Sequence, residues 1–339
     1  MSHTGLDGGG PRPLNERDRR ARDYLLNRGF LPVGLESYPL FRDFKGVPIL
    51  SELTPAVSTF WTLSFNELYR FIDGCLVTVF FFDGMEPYIE VTWPGSLGSG
   101  TAAIPGDRLR GLVETLYDLA LAAGLPALRL YAVEERFLEQ FTGVPGFTVR
   151  AEYHEDHSEY VYKMADIVNL SGGINHKKHT HLNKFLNRGD ITLVPMDNAN
   201  RRLFLDVERE WCASQDCALC SAFAGCELRA LEIMGEIYDD RYFHGLLAYA
   251  DAKLSGYLVW EERDEGRSYL HFGKGTIQNL FVYLIYLLAR EGAQDTARTG
   301  ILNINEDMGK EGLRRFKRHL GLYGQWRKYL CTYVKDGPR

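Results

Sequence analysis

The chain alternates between segments with strand-like and segments with helix-like spacing of apolar residues. Residues 76–82 and 87–93 are rich in β-branched and aromatic side chains, and Asp83-Gly84 between them is a hairpin turn signal. Residues 106–123 place apolar side chains at helical spacing: Leu109, Leu112, Val113, Leu116 and Leu119. The first half therefore predicts antiparallel strands followed by an amphipathic helix that covers them.

The second half repeats the same order of elements. Its pattern predicts helices near residues 173–188, 201–214, 227–238 and 277–291, and strands near 191–194, 245–250, 254–261, 268–273 and 300–305. Two successive units of this kind predict an α/β chain, of α+β character, with two similar domains side by side. We place a disordered tail at residues 1–20, the first domain at 21–160 and the second at 161–339.

Composition narrows the class of protein. The formal net charge is −6, which does not favour general binding of polyanions, although residues 301–339 contain nine Lys and Arg against four acids. That local excess could attract phosphates, and a solvated basic helix is the commoner explanation. No secretory signal is visible, and the apolar run 280–289 is too short to span a bilayer. A cytoplasmic protein with reduced thiols is expected.

The most informative segment is residues 301–318, which reads as a strand, a polar turn and a helix. The turn carries the adjacent carboxylates Glu306 and Asp307, and the helix has one apolar face and one basic face. The basic side chains are Arg314, Lys317 and Arg318. Acids at a strand end beside cations suit a site for a polar or phosphorylated ligand. The alternative for Asp307 is a helix N-cap, which contributes about 1 kcal/mol.

A second candidate is the strand-to-helix junction at residues 269–276. Gly273 and Gly275 permit close approach of a ligand, and Lys274 and Thr276 precede a helix N-terminus that offers unpaired N–H groups. A structural turn is the alternative, and His271 is either part of the site or a core histidine. The spacing is not that of a P-loop, and the pyrophosphate signature of coenzyme A enzymes is missing.

Two further clusters carry chemistry-bearing residues. Residues 176–185 are basic and rich in histidine, and Lys177, Lys178 and Lys184 suit phosphate contacts or an exposed polar helix face. The histidines of this stretch do not share one helical face, so a metal site is not expected there. Four thiols have the spacing C-x4-C-x2-C-x5-C: Cys212, Cys217, Cys220 and Cys226. They are either metal ligands or, as the spacing matches no standard zinc pattern, small buried hydrophobes.

Several of these segments together are similar to the DUF2156 proteins, which are grouped with the C-terminal catalytic domain of phosphatidylglycerol lysyltransferase. The residues that carry the resemblance are 160–162, 176–178, 182–185, 210–212, 271–274 and 305–314. The resemblance implies two tandem acyltransferase domains of the GNAT type with mixed, mainly antiparallel sheets, related to Fem-type transferases. It also implies an aminoacyltransferase that takes an amino acid from charged tRNA, with no cofactor besides this co-substrate.

The chemistry of aminoacyl transfer suggests roles for the candidate residues. Asp307 or Glu306 is expected to orient or deprotonate the acceptor ammonium. Asn305, His271 or a backbone N–H near residues 273–276 is expected to stabilise the developing oxyanion. The expected substrate contacts are Lys274, Thr276, Glu210 and Trp211. The expected contacts to tRNA phosphates are Lys177, Lys178, Lys184, Arg314, Lys317 and Arg318.

The acceptor is expected to be a soluble amine, a small molecule or peptide, since the sequence has no counterpart of the membrane helices of the lysyltransferases. Biosynthesis of a natural product such as an antibiotic fits this expectation. Two alternatives remain: a coenzyme-A-dependent N-acyltransferase, and a non-catalytic ligand- or RNA-binding module with the same fold. The transferred amino acid, the acceptor and the oligomeric state stay open at this point.

Overall fold

The computed structural model of the protein describes residues 14–44, 50–61, 66–82, 85–94, 104–169, 182–183, 185–214, 227–263, 266–294 and 300–337. Within these residues the strands form two mixed sheets of seven strands each, and helices pack on their faces. Most neighbouring strands are antiparallel, and each sheet contains one parallel pair. The predicted α/β fold class with two mainly antiparallel sheets is confirmed.

The first sheet takes its strands from both ends of the chain. They are β1 (Leu31–Pro32), β2 (Asn66–Ile72), β3 (Cys75–Phe81), β4 (Tyr88–Thr92), β5 (Leu128–Glu134), β6 (Phe147–Tyr153) and the C-terminal strand β14 (Lys328–Lys335). The helices of this half are α1 (Glu16–Asn27), α2 (Tyr38–Asp43), α3 (Pro55–Phe60), α4 (Gly106–Ala122) and α5 (Leu138–Thr142). Helix α4 packs its predicted apolar stripe, including Leu112 and Leu116, on one face of the sheet.

The second sheet lies between helices on both faces. Its strands are β7 (Glu159–Lys163), β8 (Ile191–Pro195), β9 (Phe243–Ala250), β10 (Lys253–Arg263), β11 (Arg267–Gly275), β12 (Ile301–Asn303) and β13 (Gly324–Trp326). The helices are α6 (Met164–Asn169), α7 (Phe204–Ser214), α8 (Glu227–Ile237), α9 (Leu280–Gln294) and α10 (Glu311–Arg318). Helix α9 packs on one face, and α7 and α8 pack on the other.

The chain crosses between the two sheets twice, an arrangement that we call the strand exchange. After β6 the chain leaves the first sheet, and β7 inserts between β12 and β13 of the second sheet. After β13 the chain returns, and β14 inserts between β5 and β6 of the first sheet. The two crossings are adjacent, because the amide of His154 donates to the carbonyl of Lys328 over 3.2 Å. The exchange ties both halves together through backbone hydrogen bonds.

Helix α3 adds a third link between the halves. Although it belongs to the first half of the sequence, Phe60 packs with Phe243 and Phe272 of the second sheet. At the N-terminus, α1 begins at Glu16, inside the predicted disordered tail, because Asn15 accepts a hydrogen bond from the amide of Asp18 as its N-cap. The proposed division at residue 160 falls within β7, which joins the second sheet, whereas β14 from the C-terminal part of the chain joins the first sheet; the domain boundary stays a prediction.

Candidate active site

Charged side chains collect where the chain crosses between the sheets. We name this group the seam cluster: Glu52, His157, Glu159, Glu306 and Lys328. Lys328, the first residue of β14, has no exposed surface, and its Nζ lies 2.7 Å from Glu52 Oε2, 3.2 Å from Glu306 Oε2 and 3.5 Å from Glu159 Oε1. The strand exchange therefore places one buried cation among three carboxylates that come from different parts of the sequence.

The members of the seam cluster differ in protonation. Burial acts to lower the pKa of Lys328, but the surrounding carboxylates outweigh it and raise that pKa. Burial raises the pKa of Glu52 to about 8, in spite of the charge of Lys328. At Glu306 the effect of burial is outweighed by Lys328 and by the hydrogen bond with His157, so its pKa falls to about 2. Glu306 is thus the ionised partner of Lys328 at neutral pH.

Glu159 is the structural anchor of the cluster. Its carboxylate accepts hydrogen bonds from the backbone amide of Ser51, over 2.9 and 3.0 Å, and from the Ser51 hydroxyl over 2.6 Å. The Nδ2 of Asn303, at the end of β12, also donates to it. These contacts hold the turn that carries Glu52 against the second sheet, and a buried carboxylate with this many donors is well satisfied.

His157 and Glu306 form an accessible pair at the edge of the cluster. His157 Nδ1 lies 3.0 Å from Glu306 Oε2, and the two side chains are 42% and 21% exposed. The hydrogen bond to Glu306 raises the pKa of His157 above its usual 6.5, although burial opposes it. Because Nδ1 is held by a carboxylate, Nε2 is the ring nitrogen that remains for proton transfer. This is the arrangement of a general base oriented by an acid.

Asp307, adjacent to Glu306, has a different environment. Its carboxylate is completely buried and accepts hydrogen bonds from Tyr160 Oη at 2.6 Å, from the Gly309 amide at 2.8 Å and from Arg314 at 2.8 and 3.0 Å. Burial acts to raise its pKa, but these donors lower it. The alternative of an N-cap is wrong, because the N-cap of α10 is Lys310 and no side chain caps it. Asp307 instead fixes the turn before the helix.

The basic face of α10 is only partly available to a ligand. Arg314 is engaged with Asp307 and Asp156. Lys317 is buried, its Nζ donates to the carbonyls of Ile304 and Glu306, and burial lowers its pKa to about 8. The predicted contacts of these two residues with phosphates are therefore not supported. Arg318 is half exposed, with Glu155 at 3.5 Å.

His271 lies in β11, and Asn305 follows β12, the parallel strand next to it. The Asn305 Nδ2 donates to the carbonyl of Leu270 at 2.9 Å, and its backbone takes the left-handed conformation, which Asn tolerates. The His271 side chain is enclosed, with Nε2 3.0 Å from Glu261 Oε2 and its ring against Phe60. In this conformation the structure does not bring His271 into the seam cluster, and its predicted role remains a prediction.

Two of the four predicted substrate contacts lie together. The Lys274 Nζ sits 4.5 Å from the centre of the Trp211 ring and 2.7 Å from Glu227 Oε2. Glu210 instead pairs with Lys253 at the surface, at 2.7 Å. The Thr276 hydroxyl donates to the carbonyl of Ser255 at 3.0 Å, which gives it a structural partner. The glycine-containing junction thus forms a compact turn.

The remaining candidates fall largely outside the described residues. Lys177, Lys178, Lys184, Cys217, Cys220 and Cys226 are not described. The Cys212 Sγ lies 3.7 Å from Glu208 Oε1. In the described part of the chain, no group of three or more His, Cys, Asp or Glu side chains has the geometry of a metal site. None of the helices described there has the length and apolar composition needed to cross a bilayer.

Sequence reasoning found Glu306 but missed its partners. Glu52, His157, Glu159 and Lys328 come from a turn, a short 3-10 helix and the starts of two strands, and no local motif connects them. One signal was available: Glu159 and Lys328 are charged residues that directly precede the apolar and aromatic runs 160–162 and 329–331. A charge in such a position needs a partner if the strand is central.

The chain is similar in sequence and in fold to one group of transferases. A family model described as "Phosphatidylglycerol lysyltransferase, C-terminal" matches residues 104–321. Among curated proteins no sequence gives a significant match. A conserved protein of unknown function from Bacteroides thetaiotaomicron has a TM-score of 0.76 at 19% identity, over 90% of this chain and 99% of that one.

Two structures of named proteins share the fold as well. L-PGS from Bacillus licheniformis has a TM-score of 0.55 at 13% identity, over 98% of this chain and 95% of that chain. FemX has a TM-score of 0.57 at 11% identity, over 87% of this chain and 94% of that chain. At these identities the likeness establishes the architecture, whereas the family match extends to the sequence of the segment that carries Glu306.

Proposed function

The chain belongs to the family of the phosphatidylglycerol lysyltransferase C-terminal domain and is therefore an acyltransferase, and from this premise we propose that it transfers an amino acid from charged tRNA to an amine. The observation that carries the proposal is the His157–Glu306 pair, which is accessible at the crossing of the two sheets. We further propose that the acceptor is a soluble small molecule or peptide and that the bond formed is an amide.

The chemistry of this reaction fits the side chains of the seam cluster. An aminoacyl ester is already activated, so the protein needs no nucleophile of its own. The acceptor amine must lose a proton as it attacks the ester carbonyl, and the ribose hydroxyl of the tRNA must gain one as it leaves. Neutral His157 takes the proton at Nε2 while Glu306 stabilises the imidazolium through Nδ1, and the same imidazolium can then protonate the leaving oxygen.

Lys328 and Glu52 support this pair without touching the reacting atoms. The Lys328 Nζ lies 3.2 Å from the Glu306 oxygen that also contacts His157, so it fixes the position of that carboxylate. The Glu52 Oε2 lies 2.7 Å from the same Lys328 Nζ, and the Glu52 side chain is one-fifth exposed. In the proposed mechanism Lys328 is a positioning residue, and its charge keeps Glu306 ionised when the acceptor arrives.

The tRNA is expected to approach along the side of α10. Two arginines are exposed on this helix: Arg318, and Arg315, which was not among the predicted contacts. In the described structure Arg318 pairs with Glu155 and Arg315 pairs with Glu311, both at the surface. Surface pairs of this kind are weak, so they exchange readily for phosphates. Lys177, Lys178 and Lys184 stay predictions for the same role. Charged tRNA is a cytoplasmic pool, and we propose that the protein works there.

The deciding experiment mixes the purified full-length chain with a pool of charged tRNAs and a panel of soluble amines. The expected result is a new amide, detected by mass, that disappears when the tRNA is digested with ribonuclease or deacylated beforehand. A parallel reaction with acyl-coenzyme A and a thiol assay tests the alternative donor. Amide formation from the thioester but from no charged tRNA would replace the proposed donor, and no transfer from either would refute the proposal.

A further inference from the structure

In the part of the chain that the structure describes, the two sheets end in four edge strands: β1 and β6 in the first sheet, β8 and β13 in the second. Three of them carry features that protect an edge. Strand β1 has two residues and ends at Pro32, β13 has three residues, and β8 ends at Pro195. Very short edge strands and proline, which has no amide hydrogen to donate, keep a sheet from pairing with another chain.

Strand β6 is the exception among the four edges. It has seven residues, and its sequence Phe147–Tyr153 contains neither proline nor glycine. Its pairing with β14 runs from Phe147 opposite Lys335 to Tyr153 opposite Tyr329 without a bulge. No strand of the described structure pairs with its outer side. A regular edge of this length is a template for strand pairing with another chain.

The hydrogen bonds at both ends of β6 show which of its backbone groups face outward. The amide of His154 donates to the carbonyl of Lys328 over 3.2 Å, and the amide of Asp336 donates to the carbonyl of Gly146 over 3.0 Å. Because hydrogen-bonded residues alternate along an antiparallel pair, the even-numbered residues of β6 bond to β14 and the odd-numbered residues face outward. The central outward-facing backbone groups belong to three residues: Val149, Ala151 and Tyr153.

The charged side chains of β6 are complementary to themselves when the strand is reversed. Arg150 and Glu152 are 79% and 42% exposed, and Arg150 Nε lies 3.2 Å from Glu152 Oε1. An antiparallel copy of the strand centred on Ala151 places each Arg150 opposite the Glu152 of the other copy. A centre at Arg150 or at Glu152 instead sets two like charges opposite each other, which is unfavourable. The charges therefore favour one register.

The same register suits the backbone and the other face of the strand. It pairs the outward backbone groups of Ala151 with those of Ala151 in the second copy, so the ladder continues across the boundary. Arg150 and Glu152 then occupy positions that exchange no backbone hydrogen bonds, where opposite side chains are closest. On the other face the exposed Tyr153 lies opposite Val149 of the second copy, an aromatic and β-branched pair of the kind that stabilises sheets.

We propose that β6 pairs in antiparallel orientation with β6 of a second copy of this chain, about a twofold axis at Ala151, so that the two first sheets form one continuous sheet. The partner is a second copy because the edge is complementary to itself in backbone, charge and apolar contacts, as a twofold interface requires. The axis is perpendicular to the sheet, and helix α4 of each copy therefore lies on the same face. This inference does not depend on the proposed function.

Sedimentation equilibrium of the full-length chain over a wide range of concentrations tests the proposal, and wild type is expected to form a reversible dimer. Ala151→Pro should be a monomer, because it removes an outward amide and keeps the hydrogen bonds to β14. Arg150→Glu and Glu152→Arg should each raise the dissociation constant by about tenfold or more, since each dimer then contains two contacts between like charges. Arg110→Glu, which reverses an exposed charge on α4, is the matched control and should dimerise as wild type.

An equimolar mixture of the Arg150→Glu and Glu152→Arg chains should regain the dimer, because opposite charges then face each other at both contacts. The proposal is overturned if wild type stays monomeric at every concentration, or if the mixture does not associate. A dimer that none of these variants weakens also overturns it and assigns the contact to another surface. Circular dichroism and the unfolding temperature check that each variant folds, and the two charge variants decide the outcome if Ala151→Pro does not. Transfer activity is not a readout, so failure of the proposed function leaves this result unchanged.

Discussion

The Nζ of Lys328 lies 3.5 Å from Oε1 of Glu159, so the first residues of the two exchanged strands are paired at the point where the chain crosses between the sheets. The candidate active site is therefore formed by the strand exchange itself. Strand β7 carries the chain into the second sheet, β14 returns it to the first sheet, and each of these strands brings a charge to the boundary. Glu52 and Glu306 complete the group around the lysine.

Lys328→Met should destabilise the fold strongly. The substitution leaves Glu52, Glu159 and Glu306 near each other without the buried cation, a change that costs about 3–5 kcal/mol of unfolding free energy in comparable pairs. Lys335→Met is the control, because Lys335 is exposed near the end of the same strand and its loss should stay within about 0.5 kcal/mol. Denaturant unfolding measures both. A loss below about 1 kcal/mol at Lys328 would contradict the importance given to this cluster.

His157→Gln should lower the rate of transfer by about 10²–10⁴ and leave the fold intact, because a general base typically contributes that factor. His244→Gln is a matched control, since His244 is 38% exposed, has Glu262 at 3.8 Å and lies on β9, outside the seam cluster. Its rate should equal that of wild type. Equal rates for the two variants would remove His157 from the mechanism.

The rate of transfer should rise with pH through the pKa of His157, which lies above 6.5 because of the Glu306 hydrogen bond. Only the neutral ring accepts a proton, so activity is low below that pKa. The charged His157–Glu306 pair also stabilises the folded protein. This contribution to the unfolding free energy is complete below the pKa of histidine in the unfolded chain and is lost as pH rises through the pKa of His157 in the folded protein. Glu306→Gln should move the midpoint of the rate profile to lower pH; an unchanged midpoint would exclude His157 as the titrating base.

Substitutions of the adjacent acids Glu306 and Asp307 should affect different properties, the rate of transfer and the stability of the fold. Glu306→Gln is expected to reduce the rate per folded molecule by more than about tenfold, since it removes the partner that stabilises the imidazolium. Asp307→Asn should mainly lower the unfolding temperature, because the bonds to Arg314 and Tyr160 weaken, and should leave the rate per folded molecule close to wild type. The reverse pattern would restore Asp307 as the catalytic acid.

Periodicity predicted most of the elements correctly because it reports local burial. The helix predicted at residues 106–123 is found at Gly106–Ala122, and the hairpin predicted at 245–261 is found as β9 and β10. The strand exchange was not predictable in this way. A strand that pairs with the other half of the chain has the same alternation as one that pairs locally, so pattern alone does not identify its neighbours.

The candidate site was predicted only in part, because a local pattern reveals some of its members and not their long-range partners. Glu306 stood out because two acids follow a strand, whereas Glu52 and Lys328 are isolated charges, 276 positions apart, whose proximity depends on the exchange. The predicted phosphate contact of Lys317 is not supported, since helical spacing places Lys317 beside Arg314 but gives no information on which side chains turn inward. Its amine is buried against two carbonyls.

Glu67→Gln should change how stability depends on pH. The pKa of Glu67 is raised well above 4.5 in the folded protein, mainly by burial, so the folded state holds a proton that the unfolded state releases above pH 4.5. Folding stability therefore falls as pH rises from 4.5 toward the folded pKa, and the glutamine variant should lack this contribution. Unfolding temperatures between pH 5 and pH 8 measure it. The variant should gain stability over wild type as pH increases, and parallel curves would show that Glu67 is not a buried, unpaired acid.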